Sequence, residues 1–164
     1  MSDIQTLCDA VNAAIVSLLP STVDVREARM PDLIFQTELR GDGVVWSYAG
    51  IRKTDGGPLG DRGRQGYVFG FAVAAVGMDW SSPAGAVKEA RDLAETLRGS
   101  PSQSMIPGGQ RTPNLRTIRL TMIGDDPVYL VFLSESPRLD PQATAQGGRF
   151  AFVQSWETGP LVRI

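Results

Sequence analysis

Acid–base or metal chemistry in this chain would have to run on carboxylates. Its 164 residues contain no histidine and one cysteine. That removes the commonest general base, the usual metal ligand, and every Ser-His or Cys-His nucleophile pair. The sequence also has no cysteine cluster at zinc spacing, no G-x-S-x-G elbow and no calcium-loop pattern. A carboxylate site holding Mg²⁺ for phosphoryl chemistry survives these exclusions, with Asp125, Asp126, Glu38 and Glu135 as its candidate ligands. Asp125-Asp126 stands between two extended runs and before Pro127, where turn geometry alone also favours acids. The expectation is a chain with no catalytic residues and no cofactor.

A second set of chemically distinctive residues is basic. Residues 52–66 (RKTDGGPLGDRGRQG) hold five glycines, a proline, four basic residues and two acids, with no apolar period. The spacing matches neither phosphate-binding fingerprint: Gly60, Gly63 and Gly66 do not form G-x-G-x-x-G, and no Gly-Lys-Ser/Thr follows Gly56 or Gly60. Arg52, Lys53, Arg62 and Arg64 are therefore candidates for contact with an acidic partner or a phosphate. A solvated loop tip is the alternative, and loops of this length are commonly either functional or disordered. Arg40-Gly41-Asp42 spells an adhesion-type tripeptide, but Asp42-Gly43 in a tight turn accounts for it.

The remaining residues supply the elements that must position these groups. Ile4, Leu7, Cys8, Val11, Ile15, Leu18 and Leu19 recur at helical spacing, capped by Ser2 or Asp3 and stopped at Pro20. Cys8 lies within that apolar stripe and is expected to pack rather than react. Residues 31–39 and 44–51 alternate as two strands of a hairpin around Arg40–Gly43. In the run from Tyr67 to Val76, large residues (Tyr67, Phe69, Phe71, Val73) alternate with small ones, predicting a central strand with a helix against its small side. Ser82 and Pro83 open a second helix that Gly99 closes, with Ala84, Val87, Ala90, Leu93, Ala94 and Leu97 as its buried face. After a Ser/Pro/Gly-rich loop at 99–114, residues 116–123 and 128–133 predict a second hairpin. Residues 134–148 are polar and turn-rich, and 149–156 form a last strand.

Strand and helix runs do not alternate strictly. The predicted fold is therefore α+β: an antiparallel or mixed sheet with two main helices on one face, in a single domain spanning 1–164. A net charge of −2 argues against a general nucleic-acid or membrane-surface binder. No apolar run approaches the length of about 18 residues needed to cross a bilayer. The acid near the N-terminus does not fit the basic start of a signal peptide, and the lone cysteine fits a reducing compartment such as the cytosol.

The order of these elements carries a family resemblance. An N-terminal amphipathic helix precedes a strand pair and the Gly/Arg-rich loop. Then YVFGFAVAAVGMDWSSPAGAVKEARDLAETLRG takes a strand straight into a helix ending Leu-x-Gly, and a late strand ends in aromatics. This pattern, with its sequence content concentrated in residues 64–99, resembles the tail terminator proteins of long-tailed bacteriophages, in particular the Mu-like contractile-tail branch. The resemblance implies a virion protein of the tail or neck, assembled in the host bacterial cytoplasm as a ring, in the family a hexamer. Such a ring caps the tail tube, ends its polymerisation and docks the head–tail connector; in contractile tails it also meets the sheath. It implies no catalytic residues, no membrane and no specific nucleic-acid sequence as partner. Arg52, Lys53, Arg62 and Arg64 would then make subunit or tube contacts. Another neck or tail component, such as a connector or completion protein, is the alternative, followed by the carboxylate-metal enzyme.

Overall fold

The computed structural model describes residues 3–54, 65–79, 82–100, 112–123, 125–139, 148–159 and 161–163. Helix α1 (Asp3–Leu18) comes first, followed by β1 (Asp24–Glu27), a 3₁₀ helix (Pro31–Gln36), β2 (Gly43–Thr54) and β3 (Gln65–Asp79). Helix α2 (Pro83–Arg98), the short strands β4 (Thr121–Ile123) and β5 (Asp126–Val128), and β6 (Leu130–Leu139), β7 (Gly148–Thr158) and β8 (Leu161–Arg163) complete the chain. The main sheet runs β1-β2-β3-β7-β6, with β8 also paired to β3, while β4 and β5 pair separately. All pairings are antiparallel except β1 with β2, which is parallel. The fold is α+β with a mixed sheet, as the sequence predicts.

Both helices lie on one face, over a core of Leu7, Val11, Ile15, Trp46, Phe69, Phe71, Val73, Ala94, Leu97 and Trp156. Trp46 and Phe71 meet at a tilt with ring centroids 6.3 Å apart, and the Trp46 indole N–H donates to Asn12 Oδ1 of α1 at 3.0 Å. That hydrogen bond satisfies the polar edge of a buried ring while fixing α1 to the sheet. In α1, Ala14 is buried where Ile4 was expected, and Ile4 is instead 39% exposed. Cys8 sits in this core, and burial, reinforced by Glu27 and Asp9, pushes its thiol pKa up to about 11.

Helix α2 is capped as its sequence requires. Ser82 Oγ accepts from the Gly85 N–H, Pro83 opens the helix, and Gly99 with φ +78° ends it, its N–H returning to Glu95 O. Its buried face is Ala86, Ala90, Ala94 and Leu97; Ala84, predicted to be buried, is exposed. The helix also packs on the opposite side of β3 from the one expected. It lies on the face of Phe69, Phe71 and Val73, not on the small-residue face. The physical reason is a taper along one face: after Val73 come Ala75 and Gly77, so α2 descends where the side chains vanish. A Cβ on Gly77 would overlap the Ala86 carbonyl oxygen and lie 2.7 Å from the Ala90 nitrogen.

Three further expectations are corrected. Residues 31–39 are not a strand, because Pro31 starts a 3₁₀ helix whose Ile34 turns inward and whose Thr37 N–H and Oγ bond back to Ile34 O and Leu33 O. The alternating pattern there marks a plug over the second face of the sheet, where Ile34 joins Ala28, Val45, Ala74, Val76 and Ala151. The partners of β2 are therefore β3 and the short strand β1, whose sequence DVRE has no apolar alternation. Strand β2 runs on to Thr54 and β3 begins at Gln65, so the irregular stretch is shorter than 52–66; residues 55–64, with Arg62 and Arg64, lie outside the described ones. The second hairpin shrinks to β4–β5, and the supposed turn region 134–148 contains most of β6, whose polar residues suit an outer strand.

Candidate functional site

The end of the sheet where β2 leaves the core differs from the rest of the molecule. Its second face is plugged by the 3₁₀ helix at Val45, Ala74 and Ala151, but not around Gly50, Gly70 and Ser155. A β-bulge between Tyr48 and Gly50 shifts the register there, and Gly50 adopts φ +113°, a backbone conformation few other residues accept. The bulge and the two glycines leave a shallow groove of about 210 Å³, bordered by Arg52, Val68, Ser155 and Glu157.

Across this groove the Arg52 guanidinium makes a two-pronged contact with Glu157, Nε to Oε1 at 3.1 Å and Nη2 to Oε2 at 2.9 Å. Strand β3 runs between their strands, and Gly70, opposite both Gly50 and Glu157, puts no side chain between them. The fork geometry suits arginine and would not be reproduced by lysine. The Arg52 side chain remains 59% exposed.

Successive residues of a strand point to opposite faces. Lys53, opposite Tyr67, thus lies on the helix-bearing face, away from Arg52, and the structure does not bring these two predicted contact residues into one patch. Arg62 and Arg64 fall outside the described residues. The carboxylates considered as metal ligands are also dispersed. Glu135 is paired with Arg98 at 3.0 Å and accepts from Gln154 Nε2, while Asp125, Asp126 and Glu38 are exposed elsewhere. Among the described residues no group of three or more acids, cysteines or histidines is arranged to hold a metal ion.

Apolar exposure at this end is what sequence reading missed. Ile51 on β2, Tyr129 just before β6, and Val131 and Leu133 on β6 are 50%, 43%, 49% and 48% exposed, four of the eight large apolar side chains exposed among the described residues. Their neighbours Leu130 and Phe132 point to the core. Tyr129 to Leu133 is a continuous apolar run within the stretch 128–133 expected as one strand of the second hairpin. Val131, opposite Glu157, lies on the second face of the sheet, beyond the part that the 3₁₀ helix covers.

A different cluster lies at the far end of β3. The Glu89 carboxyl on α2 contacts Asp42, and this hydrogen bond, followed by burial and the nearby charges of Asp42 and Asp79, pushes its pKa up to about 7. Asp42 Oδ1 also accepts from the Met78 N–H at 2.8 Å, so the pair ties α2 to the β2–β3 framework. Among the described residues no helix is long and apolar enough to cross a membrane.

No protein-family model and no curated protein matches this chain. Among solved structures it aligns with a chain from the virion of a native gene transfer agent particle, over 93% of this chain and 96% of that one. The two are 18% identical, with a TM-score of 0.45.

Proposed function

We propose that this chain is a structural virion protein, a tail terminator that forms a ring on the end of a phage tail tube. The observation that carries the reading is the exposed margin of the sheet at β6, where Tyr129, Val131 and Leu133 stand uncovered and Val131 lies opposite Glu157 of the Arg52–Glu157 bridge. Apolar side chains gathered at one end of a chain are what a protein-contact surface requires. The resemblance carried by residues 64–99 supplies the kind of partner: further copies of the chain, the tube below, and the head–tail connector above, with sheath protein beside it in a contractile tail. A closing ring needs two different, complementary patches on each subunit. In this reading Arg52 and Lys53, together with Arg62 and Arg64 from the sequence between β2 and β3, contact neighbouring subunits or the tube. No catalytic step is assigned.

The test is assembly. Light scattering and negative-stain images, on the chain alone over a range of concentrations and mixed with polymerised tail tubes, should show rings or capped tube ends. A protein that stays monomeric and leaves tube growth unaltered at high concentration refutes the proposal.

A further inference from the structure

We propose that the first half of β6, Leu130–Ser136, is a pairing edge that accepts β1, Asp24–Glu27, of a second copy of this chain. The inference rests on the ring reading and supplies its subunit seam. Strand β6 is the outermost strand on one side of the main sheet, and among the described residues nothing pairs with its free side. A strand in that position presents a row of backbone donors and acceptors, for which another extended backbone is the matching ligand.

A register shift between Phe132 and Ser134 bulges the first half of this strand at Leu133, whereas the residues that deny a partner hydrogen bonds or apolar contact lie further on. Pro137 lacks a backbone N–H, and Arg138 is an exposed charge; both lie in the second half. The first half carries Val131 and Leu133, about half exposed. Its one charged residue, Glu135, is already neutralised by Arg98. An incoming strand therefore meets apolar side chains and no unpaired charge between Leu130 and Ser136.

The opposite margin of the same sheet identifies the occupant. Strand β1 is the other terminal strand of the path. It is parallel to β2, and each later pairing along the path is antiparallel. Following the alternation, β6 runs opposite to β1. Two copies laid side by side with their sheets in one orientation would thus meet β6 to β1 as an antiparallel pair, the more stable arrangement. Each copy offers one edge of each kind, so the contact is heterologous and repeats head to tail, as a closed ring requires. The length of β1 limits the seam to about four paired residues, which the bare half of β6 accommodates.

Hydrogen–deuterium exchange on the full chain, read as monomer and as assembled ring, tests this directly. Amides in a stretch of about four residues within 130–136, and those in 24–27, should slow by tenfold or more on assembly, while those of 137–139 change little. The double substitution Val131→Lys/Leu133→Lys places two charges on exposed positions of the edge and should raise the concentration needed for assembly at least tenfold. Val131→Lys alone, with an unchanged circular dichroism spectrum, keeps the test valid if the double variant folds poorly. Rings whose protection lies elsewhere, or that tolerate Val131→Lys, overturn the strand seam and leave the terminator reading standing. A chain that never assembles, with or without tubes, overturns both.

Discussion

Replacing Gly77 by alanine should loosen α2 from the sheet. The added Cβ would overlap the Ala86 carbonyl oxygen and stand 2.7 Å from the Ala90 nitrogen. Both atoms belong to helix backbone, so no rotamer change relieves the overlap. The N-terminal half of α2 has to lift, and Ala86 and Ala90, which are 2% and 0% exposed, lose part of their burial. Overpacking of this kind costs about 1–3 kcal/mol. Removing glycine from a strand interior returns roughly 0.5–1 kcal/mol of that through backbone entropy. Because the clash is with helix backbone at two positions, we expect a net loss of about 2 kcal/mol, a fall of roughly 5 °C in Tm for a domain of this size. Urea unfolding followed by the fluorescence of buried Trp46 and Trp156 measures it. Gly41→Ala is the control, since a Cβ there meets nothing within 4 Å and should change stability by less than about 0.5 kcal/mol. A Gly77→Ala variant as stable as the Gly41→Ala control would refute the packing argument.

The Glu89–Asp42 contact sets a pH dependence. With Glu89 pushed from 4.5 to about 7 in the folded protein, its protonated form is the favoured one. The stabilisation is fully present below the unfolded value of 4.5 and is lost as pH rises through about 7. The full shift would correspond to roughly 3 kcal/mol at 1.36 per unit; screening by solvent at this partly exposed pair reduces it to about 1 kcal/mol. Urea midpoints should fall between pH 5 and 8, and Glu89→Gln, which keeps a donor toward Asp42, should flatten the profile. A wild-type midpoint constant across that range would remove the shared proton. Cys8, raised to about 11 and enclosed in the α1 core, should resist alkylation by iodoacetamide at neutral pH until the protein unfolds. Labelling of the native protein at the rate of a free thiol would show that the stripe is open.

Much of the fold was written locally. The α1 stripe, the Ser82 cap with Pro83, the Gly99 stop and the apolar run of β3 each depend on neighbours within a few residues, so periodicity and capping chemistry reveal them. The placement of Cys8 in an apolar face is legible for the same reason. The 3₁₀ helix at Pro31–Gln36 was misread because alternation over a few residues also fits a short inward-turning coil, and a single proline decides between them. Strand β1 was invisible, since DVRE becomes a strand only through the parallel partner that β2 provides.

The candidate contact surface divides along the same line. Sequence alone determined that the chain lacks histidine, that its basic residues crowd positions 52–64, and that its apolar runs suffice for a sheet with two helices. Tertiary structure decided which of those residues share a face. Arg52 and Lys53 are adjacent in sequence yet oppose each other across the sheet, because successive side chains of a strand point to opposite faces. Glu157 stands 105 positions from Arg52 and meets it over a glycine of the strand between them. Val131 and Leu133 belong to an apolar run that would be buried in a central strand. They are bare because the 3₁₀ helix covers the second face of the sheet only near Val45, Ala74 and Ala151, and such packing is fixed by contacts far apart in sequence, which local pattern does not encode.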